Sequence, residues 1–131
     1  MLTKVVKFGG SSLADAKQFM KVANIINSDP ARRYVVPSAP GKRNPKDTKV
    51  TDMLYACYDK AVIGENFSEM FDMIKQRYNS IIKELQLDMS LEQEFETIRH
   101  SFMARAGRDY AASRGEYLNG KILAKYLGYR F

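Results

Sequence analysis

The sequence holds one cysteine, Cys57, and one histidine, His100, among 131 residues. A lone thiol has no partner for an internal disulfide, and one cysteine with one histidine is too few ligands for a Cys/His zinc site. The two also fall in separate amphipathic segments, which argues against a Cys–His nucleophile pair. Cys57 is expected to pack in a core, as free cysteine commonly does, and His100 to sit on a helix surface or boundary. No apolar run approaches the ~20 residues of a membrane helix. The opening Met1-Leu2-Thr3-Lys4-Val5-Val6 is too short and too charged for a secretory signal. A cytoplasmic protein is the expectation. Two familiar nucleotide loops are missing as well. Gly41-Lys42 is followed by Arg43 and has no glycine five residues earlier, so there is no G-x-x-x-x-G-K-[ST] loop, and no G-x-G-x-x-G occurs. No internal repeat or low-complexity segment is visible. Chemistry must therefore rest on lysine, serine, threonine, carboxylates and backbone amides.

What is present suits one folded domain. Apolar residues make up 45% of the chain and charged residues 27%, enough for a core and ordinary for a globular protein. Lys and Arg number 21 against 15 Asp and Glu, a net charge of +6 that favours anionic partners without choosing among nucleotides, other phosphorylated ligands and nucleic acid.

Residues 4–8 read as a short buried strand ended by Gly9-Gly10. Ser11 and Ser12 are placed to cap a helix, with Asp15 three residues after Ser12 in a capping-box pattern. Leu13, Ala16, Met20, Ala23 and Ile26 then follow helical spacing, and Asp29-Pro30 closes the helix. Arg33 to Val36 predicts a second strand, Pro37 to Gly41 a break, and residues 41–49 a basic loop. Helical spacing resumes at Leu54, Cys57, Tyr58 and Ala61. Two further amphipathic helices open at Asn66/Glu69 and Ser90/Gln93, and they are expected to pack as an antiparallel pair with no chemistry of their own. A last helical stretch covers 108–127. Gly115 and Gly120 interrupt it, so it is either two helices or one with a close contact, and Gly128 is the expected C-cap. Tyr129 to Phe131 reads as the start of a third strand. The order predicts parallel strands joined by right-handed crossovers, with both sheet faces covered.

Three segments could carry chemistry. Lys7-Phe8-Gly9-Gly10-Ser11-Ser12 puts glycines and free amides at a strand end, with a lysine beside them. By pattern alone it is either a phosphate cradle or a plain strand-to-helix turn. Ser38-Ala39-Pro40-Gly41-Lys42-Arg43 follows the second strand and should meet the first segment at one sheet edge, where open α/β sheets bind ligands. Its basic run, which continues to Lys46 and Lys49, is either an aid to polyphosphate binding or a solvated loop. In Ala112-Ser113-Arg114-Gly115-Glu116, a carboxylate beside a glycine could take an ammonium group, or could be an ordinary exposed glutamate.

Taken together, these segments resemble aspartate kinases. Lys7 to Ser12 is similar to that family's opening lysine-phenylalanine-glycine-glycine signature, and Val36 to Arg43 to its second phosphate loop. Lys49-Val50-Thr51-Asp52 resembles the segment that follows that loop, and Ser113 to Glu116 the substrate-binding segment, all in the family's order over nearly the whole chain. The resemblance implies a three-layer αβα fold with a mostly parallel sheet, of which residues 1–131 are the N-terminal part, without the remaining kinase domain or the regulatory ACT domains. It implies transfer of the ATP γ-phosphoryl group to the β-carboxylate of aspartate, with Mg²⁺ accompanying ATP, in lysine, threonine and methionine biosynthesis.

By the same resemblance, Lys7 contacts the phosphates and stabilises the transition state, and Gly9, Gly10 and Ser11 form the cradle. Ser38 bonds near the transferring group, Thr51 and Glu116 bind aspartate, and Ser113 lies in the same pocket. The parent enzyme is expected to be a homo-oligomer, with no nucleic-acid or membrane partner and no metal held by the protein. Half the site is expected to be inactive alone. The competing readings are another kinase of the same fold (acetylglutamate, glutamate or UMP kinase), a polyanion-binding module supported only by charge, and a subunit-association module. Pro37 departs from the family pattern, where a strand residue such as valine is expected, and so predicts a distorted turn.

Overall fold

The β-branched pairs Val5-Val6 and Val35-Val36 favour extended backbone, and both segments are strands: β1 spans Lys4–Phe8 and β2 spans Arg32–Pro37. The computed structural model describes residues 2–131. Between the strands lie a 3-10 turn, Gly10–Leu13, and helix α1, Ala16–Asn27. Four helices follow: α2 at Val50–Val62, α3 at Ser68–Glu84, α4 at Glu92–Met103 and α5 at Arg108–Leu127. The strands pair in parallel, with Val5 opposite Tyr34, Val6 opposite Val35, Lys7 opposite Val36 and Phe8 opposite Pro37.

That register sorts the side chains. Val6, Phe8 and Val35 pack against the core. Val5, Tyr34 and Val36, on the alternate positions, stay 68%, 60% and 46% exposed. Among the described residues no helix covers that second face, so the outer layer of a three-layer fold has no counterpart here.

The predicted third strand does not form. Gly128 adopts the left-handed conformation as the C-cap of α5, and the Tyr129 amide turns back to bond Ala124 O at 2.9 Å. Tyr129 then reaches Arg32 O, and Phe131 packs edge-on against Tyr117. These contacts hold the three residues against α5 and β2, with no ladder for a strand to join.

Pro37 fits the ladder without distortion. The Ser38 amide bonds Phe8 O at 3.1 Å. Amides alternate in direction along a strand, so the Pro37 nitrogen faces away from β1, where no donor is needed.

The capping prediction for the first helix needs correction. Asp15 itself caps α1, accepting from the Gln18 amide at 3.0 Å, while Ser11 and Ser12 lie in the 3-10 turn. An α-helix that begins at Ala16 leaves its first amides to Asp15 and not to a ligand beside Gly10. Asn66 accepts from the Ser68 amide and Ser90 from the Glu92 amide, each two residues on, but the expected capping boxes do not form: Phe67 and Leu91 stand at the cap positions of α3 and α4 without a side-chain cap bond.

Helices α3 and α4 meet through aromatic rings. Phe71 lies edge-on to Phe95 and Phe102, and Tyr78 lies against Phe95. The pairing of early α3 with late α4 makes them antiparallel. Each such pair adds about 0.5–1.5 kcal/mol beyond burial. Cys57 is buried in this core, and His100 is exposed on α4.

The last helix is continuous through both glycines, because each is a close contact. A Cβ on Gly115 would lie 2.7 Å from the Ala39 Cβ, and one on Gly120 would lie 3.0 Å from the Phe131 ring. Gly115 thus lets α5 press onto the loop after β2.

Candidate functional site

Parallel strands of matched register deliver the loops after β1 and β2 side by side. The loops then cross, backbone against backbone. The Gly41 amide bonds Gly10 O at 2.8 Å. A Cβ on Gly41 would stand 2.6 Å from Gly10 C and 2.8 Å from Ser11 N, so no larger residue fits there. Gly9 differs, since a Cβ there would meet nothing within 4 Å.

Beside the crossing lies a cavity of about 520 Å³. Gly10 and Ser11 line it from the first loop, Ser38 and Lys42 from the second, Lys49 and Thr51 from the start of α2, and Glu116 from α5. Five of the residues expected from the sequence therefore share one cavity: Gly10, Ser11, Ser38, Thr51 and Glu116. Three others do not line it. Gly9 is exposed at the end of β1. Lys7 lies on the exposed face of β1, paired with Val36, and makes no hydrogen bond or ion pair among the described residues. The Ser113 hydroxyl is engaged elsewhere, donating to Tyr110 O at 2.7 Å and accepting from Arg114. The cavity wall offers three hydroxyls, two ammonium groups and backbone amides, which suit an anion, and one carboxylate that suits a cation.

The loops are held from below by groups the sequence reading passed over. Arg77 on α3 is 5% exposed, and its guanidinium donates to Ala14 O at 3.1 Å, Gly41 O at 2.8 Å and Thr48 O at 3.1 Å. Asp47 lies 3.5 Å from Arg77 and accepts a two-pronged bond from Arg43, at 2.7 and 3.0 Å. The Arg43 bond is the main reason that the Asp47 carboxyl is held well below the usual carboxylate range; backbone amides and Arg77 add to it. Burial lowers the pKa of Arg77, and Arg43 pushes the same way. On α5, the Asn119 amide group donates to Ser38 O at 2.8 Å. The buried Tyr78 hydroxyl donates to Gly115 O at 2.9 Å, and burial raises its pKa.

A signal for Arg77 and Asn119 was present: each is a polar residue on an apolar helix face, Arg77 beside Ile74, Tyr78 and Ile81, and Asn119 beside Gly115 and Ile122. Read only as core stripes, those faces hid them. Gly41 stood in a loop assigned to phosphate binding, but nothing local revealed that it meets Gly10.

The family model described as the amino acid kinase family matches residues 3–130. The chain belongs to the amino acid kinase family. Among curated members it is 41% identical to aspartokinase 3 of Bacillus subtilis over 97% of this chain and 29% of that protein. It is 34% identical to the chloroplastic aspartokinase 1 of Arabidopsis thaliana over 96% of this chain and 23% of that one. Among solved structures, the aspartate kinase of Clostridium acetobutylicum superposes with a TM-score of 0.95 at 52% identity, covering 98% of this chain and 30% of its own. E. coli aspartokinase III, solved with aspartate and ADP, gives a TM-score of 0.77 at 25% identity, covering 98% of this chain and 29% of its own. This amino acid kinase chain thus corresponds to the N-terminal portion of an aspartokinase catalytic domain and spans less than a third of these relatives. None of its described helices is long and apolar enough to cross a membrane.

Proposed function

We propose that this chain is the N-terminal portion of an enzyme that transfers the ATP γ-phosphoryl group to the β-carboxylate of L-aspartate, giving 4-phospho-L-aspartate. The observation that carries the reading is the crossing of two glycine loops, Gly10 over Gly41, beside a cavity that Glu116 closes from α5. Phosphoryl transfer depends mostly on positioning and charge neutralisation. In this proposal Gly9, Gly10 and Ser11 cradle the phosphates and Ser38 bonds near the transferring group. Lys7, unpaired on the strand that leads into the cradle, swings its ammonium to the phosphates and offsets charge that builds in the transition state. Glu116 pairs with the α-ammonium of aspartate, and Thr51 bonds the same substrate. Ser113 is given no substrate contact, because its hydroxyl is already engaged. The attacking oxygen belongs to a carboxylate with a reference pKa of about 3.9, so it is ionised at neutral pH and needs no general base.

Mg²⁺ accompanies ATP in the proposal. Among the described residues no group of three or more metal-ligating side chains exists, and Glu116 is the one carboxylate on the cavity wall. In this reading any Mg²⁺ is carried on the phosphates of the nucleotide. The rest of the kinase domain, the ACT domains and homo-oligomeric assembly in the cytoplasm belong to the same proposal, as does the inactivity of these 131 residues alone.

The product is an acyl phosphate, which hydroxylamine traps as a hydroxamate. In the whole enzyme, ATP-dependent hydroxamate should form with L-aspartate and not with glutamate or N-acetylglutamate, and UMP should not raise the release of ADP. Glu116→Gln should raise KM for aspartate by about tenfold or more, as expected for the loss of one charged hydrogen bond, and leave KM for ATP nearly unchanged. A variant that weakens ATP and spares aspartate would overturn the assignment of Glu116. Turnover with one of the other acceptors would name a different kinase of this fold.

A further inference from the structure

Two buried polar side chains lie beneath the loops, and each bonds one carbonyl of the second loop. Arg77 donates to Gly41 O at 2.8 Å, and Asn119 donates to Ser38 O at 2.8 Å. The described peptide bonds are all trans. In a planar trans peptide the N–H points opposite to the preceding carbonyl. A Gly41 carbonyl drawn down to Arg77 therefore turns the Lys42 amide up and away from the core. A Ser38 carbonyl drawn to Asn119 does the same for the Ala39 amide. Both Ala39 and Lys42 line the cavity, and neither amide donates to another group among the described residues.

Neither side chain is explained by packing. Asn119 is wholly buried, yet its Oδ1 has no hydrogen-bond partner. A leucine would fill similar space without a stranded acceptor, so the contribution of Asn119 is its directed bond to Ser38. Arg77 brings a charge into the interior, which desolvation opposes. Asp47 faces that charge at 3.5 Å, and the guanidinium also donates to carbonyls of both loops, at Ala14, Gly41 and Thr48. One planar guanidinium thus fixes the end of the first loop and both ends of the basic loop in a single plane.

We propose that Arg77 and Asn119 are positioning residues that aim the Lys42 and Ala39 amides into the cavity, so that the second loop binds phosphate oxygens through its backbone. Each acts through a different peptide, so their effects separate. The inference rests on the reading of the cavity as a phosphate site.

The test is an amide-resolved NMR titration of this chain with inorganic tripolyphosphate. In the wild type, the Ala39 and Lys42 resonances should shift together with those of Gly10 and Ser11. Asn119→Leu should abolish the Ala39 shift and keep that of Lys42. Arg77→Met should abolish the Lys42 shift and keep that of Ala39. Either variant should weaken tripolyphosphate binding by about tenfold, as expected for one hydrogen bond to a charged group. If Arg77→Met does not fold, Arg77→Lys preserves the charge but cannot span three carbonyls, and should give the same selective loss. Variants with native spectral dispersion in which both amides still shift as in the wild type would overturn the positioning role and leave the phosphate site standing. A wild type in which none of the four amides responds at millimolar tripolyphosphate would overturn the site itself, and this inference with it.

Discussion

Gly41→Ala tests whether the two loops are locked by backbone contact. The added Cβ would lie 2.6 Å from Gly10 C, 2.8 Å from Ser11 N and 2.9 Å from Gly10 O. All three are backbone atoms, so no side chain can swing aside. Relief requires the loops to part by several tenths of an ångström, which lengthens the 2.8 Å bond from Gly41 N to Gly10 O. Overpacking of this kind costs about 1–3 kcal/mol, and the weakened hydrogen bond adds about 1 kcal/mol. The sum, about 2–4 kcal/mol, is a large share of the 5–15 kcal/mol typical of a domain. With an m-value of about 2 kcal/mol/M, the urea midpoint should fall by about 1–2 M. Urea unfolding followed by circular dichroism reads this directly. Gly9→Ala is the internal control, because a Cβ there has open space and should change stability by less than about 0.5 kcal/mol. Equal midpoints for Gly41→Ala and the wild type, or equal losses at both positions, would refute the crossing.

Asp47 gives the acid limb of the stability profile. Its carboxyl is held below the ordinary range by Arg43. Its contribution is therefore complete above the unfolded value of about 3.9 and is lost as pH falls through the lower native value. Asp47→Asn should cost about 2–3 kcal/mol at pH 7 and flatten the decline of the urea midpoint below pH 4; an unchanged acid limb would remove Asp47 from the account. Cys57 is buried, and burial pushes its thiol up to about 12. The native chain should therefore resist a thiol reagent at pH 8 and take up one equivalent only after unfolding in urea. Rapid labelling of the native chain would contradict the packing of α2.

Much of this was legible in the residues, for local reasons. Alternating and β-branched segments marked β1 and β2, apolar spacing marked the helices, and glycine at a strand end marked the first loop. Gly128 was legible as a cap because a left-handed residue at a helix end strongly favours glycine. The third strand failed because strand formation depends on a ladder partner, which no local pattern supplies. Asp15 was read only as the capping-box partner of Ser12; because residues 10–13 close into a 3-10 turn, it is itself the cap of α1.

The sequence by itself determined the element order, the parallel sense of the two strands and the position of the two glycine loops at the strand ends, because backbone propensity and side-chain periodicity act over a few residues. Tertiary structure alone decided that Gly41 meets Gly10, that Gly115 seats α5 on Ala39, and that Arg77 and Asn119 reach carbonyls 36 and 81 positions away. Such contacts arise only when distant segments are packed to van der Waals distance. At that range a missing Cβ or one buried donor sets where the loops stand, and no short window of residues carries that information.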